Sequence, residues 1–227
     1  MVKKALATTI ILGFAMNSQA IVATFFGEDN AGGSLPVPNS AAAEADFLSN
    51  LVGVGTEDFE SFASGATPPL NLDFGVAGTA SMQGNGMTVS GPMTGTFPIS
   101  GTKQVQGFAN SFDILFSDPV AALGFYATDV GDVSGRLTLT FANGGATVID
   151  VPHTLNNNGN AMYFGYINTD NPFLSVSFKN SSNNDRFGFD NMTIGNVSQV
   201  QVPEAASTIL LLGLSLASVG VCRRKLG

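Results

Sequence analysis

The sequence comes nearest to chemistry at Phe187-Gly188-Phe189-Asp190-Asn191-Met192-Thr193-Ile194, where apolar residues hold odd positions to 189 and even positions from 192. Side chains of a strand alternate between faces, so this change of phase requires an extra residue. That residue makes a β-bulge at Asp190-Asn191, able to turn a carboxylate inward. Carboxylates, amides and backbone carbonyls are hard oxygen donors, and the cofactor they would suit is calcium. The local alternative is an Asx turn in which Asp190 only holds the bulge. Asp129-Val130-Gly131-Asp132 is a second acidic cluster, equally readable as a turn. Other chemistries lack their parts. The one histidine, His153, follows Pro152 without a Gly-x-Ser-x-Gly elbow, and the one cysteine, Cys222, lies in an apolar terminal run. Nucleophilic triads, thiol catalysis and the usual zinc ligand sets are therefore not supplied, and no catalytic residue is assigned. Tyr163-Phe164-Gly165-Tyr166 puts aromatics on both faces of a strand, either outward for sugar contact or buried.

The elements that would position these residues are short strands between Gly, Asn, Ser and Thr clusters. In Leu137-Thr138-Leu139-Thr140-Phe141 the odd positions are apolar and the even ones threonine; residues 112–116 alternate likewise. Similar patterns cover 120–127, 146–151, 162–167, 174–178 and 186–194, with weaker ones at 57–62, 80–83, 87–90 and 96–99. The fold class expected is all-β: a two-sheet antiparallel sandwich of jelly-roll type over residues 57–198. Residues 21–56 form an N-terminal segment. Within it 27–39 reads as loop and the Ala-rich stretch 40–51 as a short helix, capped by Asn39 or Ser40 and stopped by Gly53.

Both chain ends read as targeting segments. Met1-Val2-Lys3-Lys4, an apolar stretch to Met16 and Ser18-Gln19-Ala20 form a secretory signal, residues 1–20, cleaved after Ala20 by signal peptidase. Residues 199–227 contain Val202-Pro203-Glu204, an uncharged apolar run 205–222, and the basic stop Arg223-Arg224-Lys225. At 1.5 Å per residue that run makes a helix of roughly 27 Å, enough to cross a bilayer core, and the cations place the C-terminus in the cytoplasm. Outside these segments the body has four basic and sixteen acidic residues, a formal charge of −12. Such a surface disfavours nucleic acid and anionic lipid, and it keeps an exported protein soluble.

The ordered motif, span and basic cluster at 202–225 resembles the PEP-CTERM sorting signal of exported proteins of Gram-negative bacteria, with Ala205 where the family pattern has a second proline. The resemblance implies processing by exosortase, a membrane transpeptidase. It also implies a single-pass membrane precursor whose mature form lies at the cell envelope or outside the cell. A second resemblance concerns the last strand: its Phe-Asp-Asn form is similar to the ends of β-sandwich domains in exported and carbohydrate-binding-like proteins. There an early acidic residue shares a calcium; by position that residue here is Glu60, with Asp190. Two functions stay open: a non-enzymatic surface or matrix protein associated with exopolysaccharide, and a carbohydrate-binding module or glycan-active enzyme.

Overall fold

The computed structural model describes residues 20–108, 111–131, 136–155, 157–182 and 186–201. The signal segment before Ala20, the motif Val202-Pro203-Glu204, the span 205–222 and the basic cluster 223–225 lie outside them. Among the described residues no helix is long and apolar enough to cross a membrane.

Thirteen strands are described: β1 Val22–Asp29, β2 Gly55–Glu57, β3 Leu70–Asp73, β4 Thr79–Gly84, β5 Met87–Ser90, β6 Gln104–Gly107, β7 Ser111–Val120, β8 Ala122–Thr128, β9 Leu137–Ala142, β10 Ala146–Asp150, β11 Ala161–Asn168, β12 Phe173–Asn180 and β13 Phe187–Gly195. One sheet runs β1-β11-β8-β13-β6-β5, with β2 also on β13; the other runs β10-β9-β12-β7-β4-β3. All pairings are antiparallel. The expected jelly-roll-like sandwich is thus what forms. Its inter-sheet core centres on Phe112, Phe125, Phe178 and Phe189, with Phe112 and Phe178 stacked at 4.4 Å and Phe189 edge-on to both.

The first sheet is covered on both faces. Along β8 and β11, Leu123, Phe125, Phe164 and Tyr166 face the inter-sheet core, while Tyr126 and Tyr163 face a second apolar cluster around Phe47. This explains why these two strands read as continuous apolar runs. It also settles the tyrosines: Tyr163 and Tyr166 are both buried. The cover is α1, Pro38–Leu48, whose Phe47 ring lies over Gly165 and Gly124. A Cβ on Gly165 would stand 2.6 Å from Phe47, so only glycine lets the helix come this close.

Five expectations need correction. The helix occupies 38–48 rather than 40–51, because Pro38 is pre-set for a first helical turn. Its caps are supplied by neither Asn39 nor Ser40: Asp29, on β1, accepts from both their backbone N–H groups and from the Ser40 hydroxyl. The sandwich begins at Val22 rather than at 57, since β1 pairs with β11 along its whole length. Residues 96–99 are loop, and 59–62 are a turn after β2 in which Phe59 takes φ 59°.

Candidate functional site: a loop held by carboxylates

The bulge forms where the phase change places it. β13 pairs Asp190 with Tyr126 and Thr193 with Gly124 of β8, one residue more on β13 than on β8, and Asn191 has φ 46°. On its other side β13 changes partner there, from β6 at 187–189 to β2 at 192–194. The gap between these short strands frees the Asp190 side chain from the ladder, 1 % exposed though it is.

What Asp190 meets is the loop 91–103. Its Oδ2 accepts from the N–H groups of Ile99 at 2.7 Å and Ser100 at 3.0 Å, and its Oδ1 from Asn191 N–H at 2.8 Å. The Ser100 hydroxyl donates to the Asn191 amide oxygen. Glu60 grips the same loop further on: Oε1 accepts from Thr102 N–H at 2.7 Å and from Lys103 N–H, and Oε2 from the Thr102 hydroxyl. Structure thus brings Glu60 and Asp190 to one loop. The groups pointed at their oxygens are N–H and O–H donors, whose positive ends take the places that a cation would occupy. Among the described residues no three of His, Cys, Asp and Glu assemble into a set that could hold a metal ion.

The loop's inner side lies on a polar patch that the sequence reading missed. The Thr96 hydroxyl donates to Gln106 Oε1, and Gln106 Nε2 donates to Ser90 Oγ at 2.6 Å and the Gly91 carbonyl at 2.7 Å. With Gln104, which is fully buried, these residues make β6 look like a polar loop in sequence, although it is a strand inside the fold.

Burial pushes the Asp190 carboxyl up to about 7, against the pull of its three N–H donors and with Asp58 adding repulsion. Glu60 is held below the usual carboxylate range, first by the Thr102 N–H and further by Lys103. The same carboxylate-to-loop arrangement recurs. Glu57 accepts from Phe59 and Asp73 N–H, and burial raises its carboxyl. Glu28 accepts from Thr154 and Leu155 N–H; although burial opposes it, the bonds from Thr154 and Leu155 outweigh burial and lower this group.

Asp129 is buried with φ 63°, and its Oδ1 accepts from Gly159 N–H at 2.8 Å, so it shapes a turn. His153 is buried; its Nε2 accepts from Leu137 N–H at 3.3 Å and its Nδ1 meets no partner among the described residues. Burial, then Arg136, lowers its basicity, with Glu28 opposing. Ala20, the expected cleavage position, is exposed at the first described residue.

A PEP-CTERM protein-sorting motif matches residues 201–225, the mark of an exported protein. No curated protein matches the chain. Among solved structures, similar ones include a cleaved adhesin domain of Lys-gingipain, 14 % identical with a TM-score of 0.42, over 63 % of this chain and 97 % of that one. Another is the C-terminal family 22 carbohydrate binding module of Clostridium thermocellum Xyn10B, at 10 % identity and 0.41, over 64 % and 94 %. A third is a family 29 carbohydrate binding module, at 16 % and 0.33, over 66 % and 96 %.

Proposed function

We propose that this chain, carrying a PEP-CTERM sorting motif at 201–225, is an exported surface or matrix protein with a non-enzymatic, structural or interaction role associated with exopolysaccharide. Signal peptidase would remove residues 1–20 and an exosortase-like transpeptidase the tail. One observation carries the non-enzymatic part: the carboxylates nearest to chemistry, Asp190 and Glu60, are engaged by backbone N–H groups of a single loop. Groups held in that way position a chain. Intact mass spectrometry of the protein recovered from its native host tests the processing. An N-terminus at Ile21 and a C-terminus between Val202 and Ala205 are expected; a retained tail would make the segment a plain anchor.

A second reading, carbohydrate binding, has its own observation. The outer face of the second sheet is uncovered and bears hydroxyl and carboxylate groups, including Ser177 bonded to Asp113 and Thr138 bonded to Asp150. Glycan-array binding by the mature protein, with and without calcium, discriminates: saturable binding to a defined sugar supports this reading. Dependence on calcium that disappears in both Glu60→Gln and Asp190→Asn would give these two residues the shared ion.

A further inference from the structure

We propose that the end of the sandwich carrying Ile21 and Gln201 lies against the uncharged headgroup surface of the bilayer in the unprocessed protein, with Val22, Val52, Val76 and Val197 as its contact side chains. The proposal rests on the reading of 205–222 as a membrane span.

Both targeting segments leave the fold at this one end. Ile21 N–H donates to the Thr169 hydroxyl, and Thr169 N–H to the Ile21 carbonyl. Asn168 N–H donates to the Ala121 carbonyl, and Ala121 N–H to the Gly195 carbonyl. The terminal residues of β1, β11, β8 and β13 therefore stand in a row, and at about 4.8 Å per strand Ile21 and Gly195 are roughly 14 Å apart. Beyond Gly195 one 3₁₀ turn, Val197–Gln199, leads to Val200, which bridges to Leu51, and Gln201 N–H donates to the Asn50 carbonyl at 2.7 Å. The fold is thus tied down as far as Gln201, and the motif starts at the next residue.

That leaves little tether. From Gln201 to Ala205, where the apolar run begins, four residues extended reach at most about 14 Å. The interfacial layer alone takes up roughly 5–7 Å of this distance. A body fixed at Gln201 therefore stands no more than about 7–9 Å from the surface.

The end has the composition for it. Val22 is 60 % exposed, Val52 53 %, Val76 83 % and Val197 44 %. Val52 N–H donates to Gln199, which sets it beside the last turn. Val76 sits on the 3₁₀ turn between β3 and β4, brought to this end by the contact of the Phe74 carbonyl with Gly55, whose β13 partner is Ile194. Segments 21–22, 49–55, 73–78, 117–121, 168–172 and 195–201 contain no Lys or Arg, and their acids are Asp73, Asp118 and Asp170. Single exposed valines are ordinary, but four on the end from which both apolar segments depart form a face.

The test uses the full chain with Cys222→Ser, reconstituted into phosphatidylcholine vesicles. Single cysteines carry an environment-sensitive dye at Val52, Val76 or Val197, at Leu35 or Phe108 on the opposite end, or at Gly213 within the tail. Nitroxide is placed on the lipid headgroup or on the acyl chain. The opposite end is about one eight-residue strand, roughly 26 Å, away. Dyes at 52, 76 and 197 are expected to lose most of their fluorescence to headgroup nitroxide, while those at 35 and 108 keep theirs and 213 is quenched from the acyl chain. Quenching at 213 with equal signals at both ends overturns the proposal and leaves the span intact. No quenching at 213 overturns the span, and the proposal with it.

Discussion

Glu60 and Lys103 hold each other from both ends: the Lys103 N–H donates to the Glu60 carboxylate, and the Lys103 ammonium donates to the Glu60 carbonyl at 2.6 Å and on to the Phe62 carbonyl. The turn after β2 and the end of the loop 91–103 are thereby one unit. Glu60→Ala removes the acceptor for Thr102 and Lys103 N–H and leaves the ammonium contacts to the backbone. Hydrogen exchange should show protection lost at those two amides, with the amides of β8 and β13 unchanged; unchanged rates at 102 and 103 would mean that Glu60 does not hold the loop.

Asp190 carries a pH signature of opposite sign to an ordinary paired carboxylate. Its folded value, about 7, lies above the unfolded value, so between these limits the folded state holds a proton that the unfolded state has released. Stability from this group is therefore full at acid pH and falls as pH rises through 7, by about 1.4 kcal/mol per pH unit within the window from about 4 to 7. Asp190→Asn should lose this slope. Urea unfolding of both proteins from pH 4 to 8, read as the difference, checks the slope.

The packing of Phe47 on Gly165 predicts a steric penalty. Gly165→Ala places a methyl 2.6 Å from the ring, which must lift α1 or shift the strand, at a cost of about 1–3 kcal/mol. In a Phe47→Leu background the penalty should shrink, since the side chain that it strikes is smaller; a double-mutant cycle measures the coupling. The chain has no tryptophan, so near-ultraviolet dichroism of Tyr126 and Tyr163 reports the change directly.

Asp29 is the cap of a helix to which it does not belong. Asp29→Ala leaves Asn39 and Ser40 N–H without their acceptor and should cost about 1–3 kcal/mol. Ser40→Ala, which keeps both backbone bonds, should cost less. Equal losses in denaturant midpoint for the two variants would count against the capping role.

The parts of the fold legible in sequence are those where periodicity and burial agree. β9, with apolar residues on one face and threonine on the other, is a half-covered strand and reads as one. The bulge was legible because it leaves a phase error in the apolar pattern. β1 was not, since Phe25 packs on the helix-side cluster and Phe26 on the inter-sheet core, so that adjacent positions are both apolar and show no alternation. β6 was hidden by Gln104 and Gln106, polar residues buried only because a distant loop supplies their partners. The reach of Glu60 and Asp190 to a common loop has no local signal at all: it depends on a contact between residues some 40 and 90 positions apart.

The body contains no cysteine, and its loops are closed by carboxylates accepting from backbone amides. These are fasteners that answer to proton activity, where a disulfide would answer to the redox poise of the compartment. Reductant should leave the mature fold untouched. Acid is the reagent that undoes it locally: at Glu28 and Glu60, whose folded values are lowered, the stabilisation is present above the ordinary carboxylate range and disappears as pH falls through those values. The protein can therefore pass between reducing and oxidising surroundings without a change in its covalent framework.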